Sequence, residues 1–168
     1  MGEMNPETVP NQNHIPAHTD IPPGVLRGWT ILVVEGDTET LTAAQQALER
    51  HGAQVIVAQC AEMGLALASA TRPRLIITGL VFEDDQPAPC NGQRLDGWGL
   101  LGQLKADQAT RAIPVLALTA YAKLGDDQRV LDAGFHHYLN KPLIPDHFIG
   151  ELIERLSMIP LLAGYLPL

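Results

Sequence analysis

The sequence predicts an α/β domain built on a doubly wound, five-stranded parallel sheet, and three observations support this fold class. Short, continuous runs of apolar and β-branched residues recur along the chain, which is typical of strands buried on both faces. Segments with helical spacing of apolar residues separate these runs. The chain of 168 residues is 46% hydrophobic and 18% charged, which suits one domain with a full core. Right-handed crossovers then place functional residues at the carboxyl ends of the strands.

Five segments are predicted to form the strands of this sheet. Four are apolar runs, and the fifth is a short segment that follows the fourth helical pattern. The strands are expected at residues 31–34, 55–58, 75–77, 115–118 and 137–140. The first strand leads into VVEGDTET rather than into G-x-G-x-x-G, so we do not expect a dinucleotide-binding site.

The segments between the strands carry the start and stop signals of helices. The first helix is expected from Asp37 to His51, with Asp37 or Thr38 as its cap and Gly52 just beyond its end. In the last helix, apolar residues recur at i, i+3, i+4 and i+7, which indicates one buried face. The other helices are expected near residues 63–71, 96–105, 124–133 and 149–156.

The composition excludes several classes of function. The net charge is −8 and no cluster of Lys or Arg occurs, so we expect no nucleic-acid binding. No apolar run is long enough for a bilayer, and the first residues lack the apolar core of a signal peptide, so a cytoplasmic protein is expected. Cys60 and Cys90 match neither a disulfide framework nor a metal motif. His136 and His137 are neighbours on a strand and point to opposite faces, so they do not form one site.

Four segments of the chain resemble the receiver domains of two-component response regulators. They match the family's first strand, its third strand, its third helix with the fourth strand, and the Lys-Pro stretch that closes its fifth strand. These segments read ILVVEGD, PRLIITGL, LDGWGLLGQLKADQATRAIPVLALTAYA and AGFHHYLNKPL. The resemblance covers about residues 29–156 and implies the flavodoxin-like (βα)5 receiver fold.

The resemblance also implies a phosphorylation site. In receivers, an aspartate after the third strand takes a phosphoryl group from a histidine kinase, and acids after the first strand help to hold Mg²⁺. A hydroxyl and an ammonium group contact the phosphoryl oxygens. In this chain the phosphoacceptor position is Gly79, the acid pair is Glu35 and Gly36, and the hydroxyl and ammonium positions are Thr119 and Lys141. The chain thus resembles an atypical receiver, or pseudo-receiver, so we expect no catalytic residue and weak or absent Mg²⁺ binding.

Three further residues near this vestigial pocket have expected roles. Glu35 could be a leftover, weak metal ligand, but we expect it to pair with Lys141, because a buried ammonium without a partner is costly. Asp37 could move into the vacant acid position, but we expect it to cap the first helix. Tyr138 fills the aromatic position that changes orientation on activation in typical receivers, and here it is expected to be a packed aromatic.

The domain boundaries follow from these patterns. We expect a flexible N-terminal tail at residues 1–28, a receiver-like domain at residues 29–157 and an apolar C-terminal tail at residues 158–168. A loop insertion at residues 81–95 is either a solvated surface segment, or a segment that covers the old pocket or contacts a partner. The C-terminal tail either packs on its own domain or docks on another chain, and docking is the favoured role.

The function predicted from the sequence is a stand-alone, phosphorylation-independent signalling domain that is not an enzyme. Its expected partners are proteins, including a histidine kinase, or a second copy through the fourth helix, fifth strand and fifth helix or the C-terminal tail; no membrane partner is expected. One alternative is a phosphorelay receiver that uses Asp84, Asp85 or Asp37 instead. A second alternative is a small-molecule sensor that uses the emptied pocket.

Overall fold

The computed structural model describes residues 21–82, 94–120 and 126–167, which contain a five-stranded parallel sheet in the order β2-β1-β3-β4-β5. The predicted fold class is confirmed. The strands are β1 (Thr30–Val34), β2 (Gln54–Ala58), β3 (Leu75–Gly79), β4 (Val115–Thr119) and β5 (His137–Asn140). The helices are α1 (Thr38–Arg50), α2 (Ala61–Thr71), α3 (Gly97–Ala106), α4 (Asp126–Ala133), α5 (Pro145–Ser157) and α6 (Pro160–Ala163). None of these helices has the length and apolar composition that a bilayer crossing requires.

The sheet is buried on both faces, and the two faces are covered by different helices. In β1, Ile31 and Val33 belong to one core cluster with residues of α1 and α5. Leu32 and Val34 belong to a second cluster with residues of α2 and α3. This alternation is the period of two expected for a strand. Each fully buried aliphatic side chain contributes about 1.5–3 kcal/mol, so the apolar runs hold the sheet between its helices.

Two of the helices that begin at the carboxyl edge of the sheet, α1 and α3, are capped by aspartates. Asp37 accepts a hydrogen bond from the Thr40 N–H at 2.9 Å at the start of α1. Asp96 accepts one from the Gly99 N–H at 2.7 Å at the start of α3. The predicted cap at Asp37 is confirmed, and the hydrogen bonds from Thr40 lower the pKa of this carboxyl below its usual value.

The predicted C-terminal boundary of the N-terminal tail, at residue 28, is wrong, because residues 21–28 belong to the folded domain. Residues 21–28 form turns against the domain, and the Leu26 N–H donates to the His51 carbonyl oxygen at 2.9 Å. Val25 and Leu26 are 1% and 0% exposed. Burying a large apolar side chain contributes about 1.5–3 kcal/mol, so the burial of these two residues holds the turns against the core. Residues 1–20 of the predicted tail lie outside the described residues.

The C-terminal tail packs on its own domain, which is the less favoured of its two expected roles. Arg74 lies between two aromatic rings, 4.2 Å from the centroid of Tyr165 and 5.4 Å from that of Trp29. Such cation–π contacts join the tail to the amino edge of the sheet. Apolar residues of the tail also enter the core that includes α1 and α5: Ile159, Leu162 and Leu166.

Candidate functional site at the carboxyl edge of the sheet

Four of the five predicted pocket residues stand at or just beyond the ends of strands. Glu35 follows β1, Gly79 ends β3, Thr119 ends β4 and Lys141 follows β5. Because parallel strands all end at the same edge, these positions lie in a row across the sheet. We call them, with Gly36, the Gly79 pocket.

An ion pair spans this row from one side to the other. Lys141 Nζ lies 2.7 Å from Glu35 Oε2. Their strands are separated by three strand spacings, or about 14 Å at about 4.8 Å each, so two long side chains must reach over the ends of β3 and β4. The Glu35 side chain is 3% exposed and that of Lys141 is 22% exposed. The predicted pair between Glu35 and Lys141 is therefore present.

The Glu35 carboxylate is held from two sides. The Asp37 N–H donates to Oε1 at 3.1 Å, and the ammonium group of Lys141 approaches Oε2. Oε2 is buried and has no aligned hydrogen-bond donor among the described residues, so its contact with the ammonium is mainly coulombic. Such attraction is stronger in a buried site than in water, and either charge would be costly to bury alone.

Gly79 is needed because a side chain would have no room there. Its backbone conformation does not require glycine, since its φ lies outside the left-handed region. A Cβ atom built on Gly79 would lie 2.8 Å from Glu35 Oε2, 3.4 Å from Cδ and 3.6 Å from Oε1. These are the three nearest atoms, and all belong to one carboxylate group. Glu35 therefore occupies the room that a side chain at position 79 would need.

Gly36, at the second acid position, is covered by an aromatic ring. A Cβ atom on Gly36 would lie 3.3 Å from Phe82 Cδ1 and 3.6 Å from the Gln59 carbonyl oxygen. Sequence reasoning missed Phe82, because it falls within the predicted insertion at residues 81–95, where no periodic pattern assigns a side chain to the core. An aromatic residue within three positions of a buried strand end was the one available signal.

Gly97 is a second residue that the sequence analysis did not assign to the site. A Cβ atom there would overlap the Gly79 carbonyl oxygen, and the Gly97 N–H donates to the Leu80 carbonyl oxygen at 3.0 Å. The start of α3 is thus pressed directly against the end of β3. The Asp-Gly pair in LDGW combines a cap, Asp96, with the glycine that this close approach requires.

The other predicted residues have the following places. Thr119 is half-buried at the end of β4, and its carbonyl oxygen accepts the Lys141 N–H at 2.9 Å. The bond between Lys141 and Pro142 is cis. Tyr138 is half-buried against the core that contains α2 and α3, and the Arg155 guanidinium lies 5.6 Å from its ring centroid. Asp84, Asp85 and Cys90 lie outside the described residues.

His136 and His137 have different surroundings. His136 Nδ1 accepts the Val115 N–H at 3.3 Å, and burial followed by the nearby charge of Lys105 lowers the pKa of His136. Burial also lowers the pKa of His137. Both imidazoles are therefore favoured in the neutral form.

The described side chains of the Gly79 pocket supply few of the oxygen ligands that Mg²⁺ needs. Gly36 and Gly79 supply no side-chain oxygen, and the Glu35 carboxylate already contacts an ammonium group and a backbone N–H. Mg²⁺ requires several oxygen ligands in octahedral arrangement. Among the described residues, no group of three or more His, Cys, Asp or Glu side chains is placed to hold a metal ion.

A cleft opens beside the pocket, between the end of β5 and α5. Its volume is about 460 Å³, and its wall includes Ile144, which is 59% exposed. Asn140 Nδ2 donates to Glu151 Oε1 at 3.0 Å across this wall. We call it the β5–α5 cleft; it is lined by Asn140, Lys141, Pro142, Ile144, His147, Phe148, Glu151, Glu154 and Arg155.

Comparison with known proteins decides the family. The sequence model of the response regulator receiver domain matches residues 31–153. This chain belongs to that receiver family. The match begins after Trp29 and ends before Ile159, so the turns at residues 21–28 and the segment with α6 are additions to the part that the family shares.

Individual relatives agree with this assignment. An uncharacterised 14.6 kDa protein of Leptolyngbya boryana is 34% identical over 125 residues, 74% of this chain and 87% of its own. The polar-differentiation response regulator DivK of Brucella anthropi is 30% identical over 128 residues, 76% of this chain and 96% of its own. The receiver domain of the sensor histidine kinase PA1611 from Pseudomonas aeruginosa, solved with magnesium in its active-site cleft, is 26% identical with a TM-score of 0.62 over 76% of this chain and 96% of its own.

Proposed function

We propose that this receiver domain signals by protein–protein contact without phosphorylation of the Gly79 pocket. The observation that carries the proposal is the Glu35 carboxylate, which fills the room beside Gly79 and pairs with Lys141 at 2.7 Å. A receiver needs a nucleophilic carboxylate at this place and a metal cage beside it. Gly79 and Gly36 have no side chain to provide either one.

The surface proposed for partner contact is the one formed by α4, β5 and α5, and the β5–α5 cleft is part of it. The cleft combines an exposed apolar residue, Ile144, with polar groups on Asn140 and Glu151. Interfaces commonly combine an apolar anchor with such a polar rim. The partner is a signalling protein such as a histidine kinase, or a second copy of this chain.

Two matched variants test this surface against the C-terminal segment. Ile144 and Leu161 are both large apolar residues, 59% and 61% exposed, but Leu161 lies on α6 at the other edge of the domain. We expect Ile144→Asp to reduce co-purification of partners, or self-association measured by light scattering, at least about tenfold, since interface anchors carry much of the binding energy. Leu161→Asp should leave both unchanged. The reverse pattern would move the interface to the C-terminal segment.

Phosphodonors provide the second test of the proposal. Partner capture should be equal with and without acetyl phosphate or beryllofluoride in the presence of Mg²⁺, because the pocket lacks the acceptor group. A phosphodonor-dependent change in capture would favour a phosphorelay receiver. Asp37 is a poor acceptor for that role, since its carboxylate is engaged with Thr40 at the start of α1.

A further inference from the structure

Lys141 belongs to both the Gly79 pocket and the β5–α5 cleft. Its ammonium group contacts Glu35, while the residue lines the cleft together with its neighbours Asn140 and Pro142. Its backbone N–H is bonded to the Thr119 carbonyl oxygen, which fixes the start of this segment to β4. Loss of the contact between the Lys141 ammonium group and Glu35 would therefore also alter the wall of the cleft that Lys141 forms.

Glu35 Oε2 lies close to where an acidic side chain at position 79 would place its own oxygens. The carboxylate oxygens of an aspartate are two bonds from its Cβ, a separation only slightly shorter than the 2.8 Å between Oε2 and a Cβ on Gly79. The carboxylate thus reaches the phosphoacceptor position, but from the end of β1 instead of the end of β3. The absence of a Cβ at Gly79 is the condition for this arrangement.

We propose that the Glu35 carboxylate takes the place of a carboxylate at position 79. We further propose that its ion pair with Lys141 keeps the Lys141 side of the β5–α5 cleft in one conformation. Glu35 is a positioning residue in this scheme, since it acts on the cleft through Lys141. The inference rests on the proposed function, because it concerns how the proposed contact surface is maintained. It goes further by making that surface independent of any phosphoryl group.

The environment of Glu35 makes it suited to this role. Its side chain is 3% exposed, and the Asp37 N–H fixes Oε1 at 3.1 Å. A buried and doubly held carboxylate can position a flexible lysine, because it has few alternative rotamers of its own. The far wall of the cleft has its own contacts, from Glu151 to Asn140 at 3.0 Å and to Arg155 at 3.7 Å, and does not depend on Glu35.

Hydrogen exchange of the full-length chain tests the inference without a partner. In Glu35→Gln and in Lys141→Met, the amides of Asn140, Lys141, Leu143 and Ile144 should exchange at least about fivefold faster than in the unmodified chain, since local opening becomes easier. The amides of β1 and β3 should keep their protection. Glu49→Gln is the control, because the exposed side chain of this glutamate on α1 is bonded to Gln45 and lies far from the Lys141 segment. Unchanged exchange at residues 140–144, or an equal increase throughout the sheet, would overturn the inference.

A swap of the carboxylate between the two positions tests it more sharply. All three atoms nearest to a Cβ at Gly79 belong to Glu35, so Glu35→Ala makes room for an aspartate there. We expect Glu35→Ala to raise exchange at residues 140–144, and Glu35→Ala with Gly79→Asp to restore it to within about twofold. A merely structural role of Glu35 predicts no rescue. If the double variant exchanges like Glu35→Ala, the inference is wrong.

These outcomes separate the inference from the proposed function. If Ile144→Asp abolishes partner capture while Glu35→Gln changes neither capture nor exchange, the cleft is the contact surface but Glu35 does not maintain it. If Ile144→Asp leaves capture unchanged, the proposed surface is wrong, whatever the exchange of residues 140–144 shows.

Discussion

The two edges of the sheet are closed by opposite kinds of interaction. At the carboxyl edge, long charged side chains cross the ends of the strands, and Glu35 meets Lys141 over Gly79. At the amino edge, apolar side chains from residues 21–28 and the C-terminal segment extend the core, and Arg74 lies between the rings of Trp29 and Tyr165. The amino edge adds buried apolar surface, whereas at the carboxyl edge a carboxylate from the end of β1 fills the space beside Gly79.

Substitutions at the two edges should therefore differ in their effect on stability and on signalling. Burial of apolar surface dominates stability, while an ion pair gains little beyond the cost of burying its charges. Substitutions at the amino edge should therefore reduce the free energy of unfolding most. Substitutions at the carboxyl edge should reduce the free energy of unfolding less, but they should change the conformation of residues 140–144.

The largest effect is expected at the amino edge, from Leu162→Ala. Leu162 is 2% exposed in the core, so the variant should lose about 2–5 kcal/mol in the free energy of unfolding through lost burial and a residual cavity. Leu161→Ala, on the same short helix but 61% exposed, should change it by less than about 0.5 kcal/mol. Urea denaturation measures both variants. Equal effects would show that the C-terminal segment does not contribute to the core as described.

A smaller loss is expected at the carboxyl edge from Lys141→Met. The variant leaves the Glu35 carboxylate buried without its cation, which should lower the free energy of unfolding by about 1–3 kcal/mol. This loss is smaller than for a fully buried pair, because the Lys141 side chain is 22% exposed. Glu35→Gln added to Lys141→Met should recover part of this loss, since no charge is then left unpaired. A double-mutant cycle from urea denaturation measures the coupling. Strict additivity would contradict the pair.

Gly79→Ala tests the occupied space itself. The new Cβ would lie 2.8 Å from Glu35 Oε2, so the carboxylate must shift and the variant should lose about 1–2 kcal/mol in the free energy of unfolding. In a Glu35→Ala background the same change should be nearly neutral. Gly102→Ala is the matched control, since a Cβ there meets nothing within 4 Å inside α3 and should stabilise by about 0.5–1 kcal/mol. Thermal denaturation measures all of these variants, and a neutral Gly79→Ala would contradict a filled pocket.

The smallest effect is a pH dependence that arises from His136. Burial and Lys105 lower its folded-state pKa below the usual 6.5, so the unfolded chain binds a proton at higher pH than the folded chain. The stability from neutral His136 is thus present above about pH 6.5 and is lost as the pH falls below it. His136→Asn keeps an acceptor for the Val115 N–H but cannot be protonated. The Tm of this variant should fall less steeply from pH 7 to pH 5, and an unchanged slope would contradict the assignment.

Most of the fold and part of the site follow from local sequence patterns. The buried runs such as ILVV predict the strands, and Asp37 before a helical pattern predicts a cap, because both signals are contained in a few neighbouring residues. The pair of Glu35 and Lys141 is predictable once the strand order is known, since a buried ammonium requires a carboxylate within reach.

The parts that were missed depend on residues distant in the sequence. The roles of Phe82 and Gly97 become visible only when the end of β3 meets β1 and α3. Val25 and Leu26 carry no periodic pattern, so nothing local assigns them to the core. The packing of the C-terminal segment depends on a surface formed by Trp29 and Arg74, which the segment's own apolar composition does not reveal.

The proposal that the Gly79 pocket is not phosphorylated can be tested by the intact mass of the full-length chain after incubation with Mg²⁺ and acetyl phosphate. We expect a single, unchanged mass under conditions in which a receiver that retains its aspartate gains a phosphoryl group, because no acceptor carboxylate stands at Gly79. A mass gain of one phosphoryl group, mapped by fragmentation to Asp84, Asp85 or any other aspartate, would contradict it.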